Sequence, residues 1–187
     1  CCQRPFVVPL IYKTLLYKTT LITIFQLFFS IFSWSILAYV FSQTFEKNIM
    51  KTISFVFIMF FSLSTSINQW QRALLSESIT FSSFALLIAF WILYLRKSGF
   101  INLSVLGLIT ILWSFSRYTN FYTMLLITTV WGVYLIWQKK KIPVSHIVLL
   151  LVYVFITIWG LLDSRGSKGW IASLGNVVIQ RVLFVDE

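Results

Sequence analysis

Negative charge is almost missing from this sequence: five Asp and Glu stand against 15 Lys and Arg in 187 residues, and charged residues of both signs make up only 11%. A soluble globular domain carries about a quarter charged residues, so composition alone excludes that class. Cysteine is confined to the adjacent Cys1 and Cys2, which offer neither a disulfide framework nor metal-ligand spacing, and the redox compartment stays open. The one histidine, His146, has no second His, Cys or acidic residue at ligand spacing on its helix and reads as structural. There is no Gly-rich loop, internal repeat or low-complexity tract. The chain opens on Cys1 rather than Met, with no charged stretch ahead of a cleavable apolar segment, so a fragment of a longer protein is expected. A lipid-modified terminal cysteine would need the residues before Cys1 for support.

What is present is apolar: 59% of residues are hydrophobic and 19% aromatic. The charges cut the chain into apolar runs at 19–45, 52–71, 78–95, 98–116, 118–138 and 142–162. Each is about 18 residues or longer, enough at about 1.5 Å per residue to cover the roughly 30 Å hydrocarbon core. Strands of a membrane barrel alternate apolar and polar, whereas LLITTVWGVYLIW from Leu125 is apolar on every face. The expected fold is therefore all-α, a polytopic transmembrane bundle of about six spanning helices. The run at 98–116 is short and ends in Ser114, Ser116 and Arg117, so it is expected to stop below the far surface.

The basic residues set an orientation. Lys47, Lys51, Arg96, Lys97, Lys139, Lys140 and Lys141 follow the first, third and fifth runs, while the two intervening connections carry only Arg72 and Arg117. The positive-inside rule puts the former group in the cytoplasm and both chain ends outside. The net charge of +10 is accounted for by this bias and the basic tails, and calls for no nucleic acid partner. Three regions result: an outer juxtamembrane segment at 1–18, the helical bundle at 19–162 and an outer tail at 163–187. Trp70, Trp137, Trp159 and Trp170 lie near run ends, as headgroup-level anchors do. The sequon at 102–104 (NLS) falls on the cytoplasmic side, where it would not be glycosylated.

Glu77 is the acidic residue that stands apart. It lies in WQRALLSESITFSS (70–83), at the outer end of the third run, flanking a stripe of Ser76, Thr80 and Ser83. A carboxylate there must face water, a cation or a protein cavity. One reading is close helix packing by small residues with a solvated carboxylate; the other is a ligand-binding or catalytic acid. Arg117 sits at the next outer turn and Arg72 is near Glu77 in sequence, so two guanidinium groups and a carboxylate can meet on one face of the membrane. The planar donor fork of Arg suits a lipid-linked phosphate, against the alternative of ordinary interface snorkelling.

Three stretches carry a family resemblance. Residues 4–16 (RPFVVPLIYKTLL) resemble the Pro-Leu-Tyr segment closing the first outer loop of polyprenyl-phosphate-sugar-dependent glycosyltransferases, the integral membrane class called GT-C. Residues 70–90 (WQRALLSESITFSSFALLIAF) resemble that class's acidic second outer loop and following helix. Residues 106–120 (LGLITILWSFSRYTN) are similar to a later stretch with an Arg at an outer helix end. The resemblance implies transfer of a sugar from a polyprenyl phosphate to an acceptor on the extracytoplasmic face, and the richness in Lys, Ile, Phe and Ser points to a bacterial plasma membrane. It further implies a general base in a loop upstream of Cys1, and Glu77 in a second acidic position that helps bind acceptor or a divalent metal. Arg72, Glu77 and Arg117 would then bind substrate. The rival readings are a membrane transporter, for which no broken mid-membrane helix or deep ionisable group is seen, and a non-enzymatic assembly protein.

Overall fold

The computed structural model describes residues 6–64, 76–137 and 143–167. Every regular element among them is an α-helix: α1 (Val7–Thr14), α2 (Thr19–Ser42), α3 (Asn48–Ser62), α4 (Ser76–Arg96), α5 (Phe100–Ser114), α6 (Thr119–Trp137) and α7 (Val144–Ser167). Four of them, α2, α4, α6 and α7, are long and apolar enough to cross a membrane. The all-α bundle anticipated from composition is thus found, with two of its six expected spans shorter than anticipated. The run at 52–71 is helical among the described residues only as far as Ser62, and residues 65–75 lie outside them. The run at 98–116 forms the 15-residue α5, about 22 Å at 1.5 Å per residue against a core of about 30 Å. That is the short span the polar Ser114–Ser116–Arg117 cluster foretold.

Helix direction alternates, so the start of α2, the end of α3, the start of α4, the end of α5, the start of α6 and the end of α7 share one end of the bundle. Lys47, Lys51, Arg96 and Lys97 lie at the other. Labelling checks the sidedness: an impermeant maleimide added from outside is expected to modify Thr119→Cys and not Lys97→Cys, in a chain whose Cys1 and Cys2 are serine. The opposite pattern would invert the topology.

α4 is the central helix, buried over half of its spanning window, where α6 and α7 are buried over 28%. It packs parallel to α2 through Leu37 and Val40 against Ala85 and Ala89, and antiparallel to α5. The main cluster joins Leu86, Leu87 and Tyr94 of α4 to Leu106 and Trp113 of α5, Met124 of α6 and Tyr153 of α7. The outward faces are apolar, with Phe28 at 67% exposure and Ile136 at 85%, as helices bathed in hydrocarbon require. A set of buried polar groups turns inward. The hydroxyls of Ser33, Ser83, Thr110, Thr128 and Thr157 each donate to the carbonyl four residues back, at 2.6–2.8 Å, so no hydroxyl among these meets lipid unpaired.

α1 lies within the segment expected only as juxtamembrane chain. Pro9 is tolerated because it occupies the first turn, where its missing N–H has no helical partner to lose. Val7 and Val8 are buried beneath α1, and Val7 joins Phe115, Phe121 and Ile156 in a cluster across the ends of α5, α6 and α7. At the far end of the chain α7 continues to Ser167, past the boundary expected at 162, and the tail from 168 lies outside the described residues.

Candidate functional site

The place where α5 stops shapes the site. α5 ends at Ser114, and the turn to α6 at residues 115–118 lies against the first turn of α4, with Phe115 and Ser116 buried. Glu77 stands in the first turn of α4, where the helix dipole favours a carboxylate. Its Oε1 lies 3.1 Å from Nη2 of Arg117, which rises from the turn. The Glu77 side chain is 14% exposed and that of Arg117 is 41%, so the carboxylate is held inside while the guanidinium keeps part of its donor fork open.

A hydrogen-bonded net supports this pair. The Thr80 and Ser116 hydroxyls are 2.8 Å apart, which ties α4 to the turn. Asn120 Nδ2 donates to Ser116 Oγ at 3.1 Å and to the Trp113 carbonyl at 2.7 Å, closing the turn onto α6. Ser116 also donates to the Trp113 carbonyl at 2.7 Å. Asn120, 7% exposed, went unremarked in sequence, although an Asn in the first turn of a membrane helix is a signal that it satisfies backbone nearby.

Of the residues expected to bind substrate, Glu77 and Arg117 are in direct contact, while Arg72 lies outside the described residues. Thr80 and Ser83 both face inward from α4, Thr80 on Ser116 and Ser83 on its own helix backbone. A divalent cation takes six or more oxygen ligands, usually with more than one carboxylate. Here one carboxylate is already engaged by a guanidinium, and no group of three His, Cys, Asp or Glu exists among the described residues. The described residues alone offer no set that would hold such an ion.

An apolar cavity of about 530 Å³ lies between Ile111 of α5, Phe115 of the turn and residues Leu151 to Trp159 of α7, with Phe6 also lining it. Phe115, which lines it, is two residues from Arg117. At the other end of the bundle His146 is fixed structurally, its Nδ1 2.9 Å from the Tyr94 hydroxyl and its ring edge-on to Trp131 and Tyr94. That contact joins the start of α7 to the end of α4.

No family model, curated protein or solved structure matches this chain. Fold and composition define an α-helical membrane protein with a recessed ion pair at one end of its bundle.

Proposed function

We propose that this chain belongs to a membrane-embedded glycosyltransferase that moves a sugar from a polyprenyl-phosphate donor to an acceptor, at the extracytoplasmic face of a bacterial plasma membrane. The observation that carries the reading is the pairing of a partly exposed Arg117 guanidinium with a largely buried Glu77, on the turn whose first residue, Phe115, lines an apolar cavity. A lipid-linked phosphate has those two parts, an anionic head and a hydrocarbon chain, and the site presents a matching donor group and a matching apolar seat. Glu77 orients Arg117 and keeps its charge in place; the free N–H groups of Arg117 take the phosphate and stabilise the charge left on it as the sugar departs. Neither residue is assigned as general base.

The test is transfer of labelled sugar from a polyprenyl phosphate by the full-length protein in proteoliposomes. Arg117→Gln is expected to weaken donor binding about tenfold to a hundredfold, the 1.4–2.8 kcal/mol of a charge-assisted bond to phosphate, while insertion is unchanged. Unchanged donor affinity would leave Arg117 as a snorkelling residue. A second reading, a non-enzymatic assembly protein in which Glu77 and Arg117 merely clamp α4 to the α5–α6 turn, is favoured by the fact that each charge already satisfies the other. Under it, no transfer is detected with the unaltered protein.

A further inference from the structure

The end of the bundle opposite Glu77 and Arg117 carries charge of nearly one sign. Lys47 and Lys51 come from the start of α3, and Arg96 and Lys97 from the end of α4 and the link to α5. Lys47, Arg96 and Lys97 are exposed, and the acid beside them is the exposed Glu46. None of these five residues makes an ion pair; the ion pair found between described residues is that of Glu77 with Arg117, at the far end.

Helix register brings two of the cations to one junction. α3 meets protein along Lys51, Ser54, Ile58 and Ser62, which are half-buried or buried, while the residues between them, Met59 apart, are exposed. Spacings of three and four residues make these one stripe, so Lys51 lies on the protein side of α3, two turns beyond Ile58. On α4, Arg96 follows Ile92 by four residues and Leu93 by three, and continues their face. Ile58, Ile92 and Leu93 all pack on the cluster that joins Leu37 and Val40 of α2 to Ala85 and Ala89 of α4. Lys51 and Arg96 therefore stand over the basic end of the same three-helix junction. The backbone beneath both is tied down. The Lys51 N–H donates to the Lys47 carbonyl at 3.1 Å, and the Lys51 carbonyl accepts from Ser54 Oγ at 3.0 Å. The Lys97 N–H donates to the Leu93 carbonyl at 2.9 Å, and the Lys97 carbonyl accepts from Asn102 Nδ2 at 2.8 Å.

An ammonium turned toward protein, near a second cation and without a carboxylate partner, is stabilised by an anion from outside the chain. The rest of α3 says what carries that anion. Ile53 and Phe57, farther along the helix, are 58% and 69% exposed, as side chains in bilayer hydrocarbon are. The anion present at the level of Lys51 is then a lipid headgroup. A phospholipid phosphate offers oxygens to both ammonium and guanidinium donors, and its acyl chains continue along the apolar outer face of α3.

We propose that Lys51 and Arg96 form a seat for the phosphate of one anionic phospholipid, with Lys47 and Lys97 strengthening the positive potential around it. The seat lies at the other end of the bundle from Glu77 and Arg117 and is independent of the transfer chemistry.

The experiment uses the full chain purified in detergent, where membrane sidedness plays no part. Native mass spectrometry counts retained lipid as phosphatidylglycerol, or phosphatidylcholine with the same phosphate but no net charge, is added. The unaltered protein is expected to retain one phosphatidylglycerol about tenfold more tightly than phosphatidylcholine. Lys51→Gln and Arg96→Gln are each expected to weaken that retention about fivefold, and together about thirtyfold, the effect of one and two basic residues at an anionic lipid surface. Lys13→Gln with Lys18→Gln removes the same charge from exposed positions at the opposite end and should leave retention unchanged. Lys51→Arg should keep the lipid. Equal retention by the two double variants would reduce the effect to net charge and overturn the seat, as would equal retention of the two lipids by the unaltered protein. A second measurement needs no variant: phosphatidylglycerol with a diazirine in its headgroup is expected to leave adducts at residues 47–51 and 92–97 of the unaltered chain. Adducts confined to other segments overturn the proposal even where a variant fails to fold.

Discussion

Glu77→Gln is expected to lower sugar transfer about a hundredfold while the protein still inserts and elutes as a single species in detergent. Gln keeps the shape and a hydrogen-bond acceptor but removes the charge that fixes Arg117, so the guanidinium is free to swing toward the surface and no longer meets the phosphate in one geometry. A hundredfold corresponds to about 2.7 kcal/mol of lost transition-state stabilisation, the size seen when a preorganised donor is displaced. The cost to folding is expected to be smaller, about 1 kcal/mol, because Arg117 is 41% exposed and solvent screens the pair. Glu77→Gln combined with Arg117→Gln should lose no more transfer than the worse of the two single changes, since both act through one guanidinium. Full activity in Glu77→Gln would sink the site. Loss of folding together with activity would make the pair a structural clamp and support the second reading.

Much of this arrangement was legible in the sequence because membrane-spanning segments are marked by simple rules. Uninterrupted apolar runs located α2, α4, α6 and α7, and the alternation of helix direction was enough to bring Glu77 and Arg117 to one end of the bundle. That they touch was open, because it depends on where α5 stops and on the turn at 115–118 lying against the start of α4. Helix rotation was the hardest feature to read. A helix that is apolar on every face carries no amphipathic signal of which side meets protein, and in α4 that information resides in Ser78, Ser82 and Ser83, all buried. The link between Tyr94 and His146 spans 52 residues and has no local signature. α1 was missed for a different reason: eight residues make barely two turns, too few for a period, and Pro9 argues for loop unless its place in the first turn is known.

Gly160→Ala is expected to be among the most destabilising single changes in the bundle. Gly160 lies on α7 where that helix passes the Phe121 ring of α6, and a methyl at position 160 would run into the ring itself. Phe121 has no room to retreat: it is fully buried and stands nearly perpendicular to Phe115, with centroids 5.0 Å apart. Gly to Ala in a helix ordinarily gains up to about 1 kcal/mol, so the overlap must outweigh that gain, and forced repacking of a tight core typically costs about 1–3 kcal/mol. The expected outcome is a fall of about 2–8 °C in the melting temperature of the detergent-purified protein. Gly132→Ala is the matched control, because the nearest atom to its new methyl is the Leu150 Cδ1 at 3.8 Å, an ordinary contact, and its melting temperature should stay level or rise. Phe121→Leu removes part of the ring, so combining it with Gly160→Ala should give a protein more stable than the two separate losses would sum to. If Gly160→Ala melts with Gly132→Ala, the close approach of α6 and α7 at this point is wrong, and with it the wall that Ile156 and Phe115 give to the cavity.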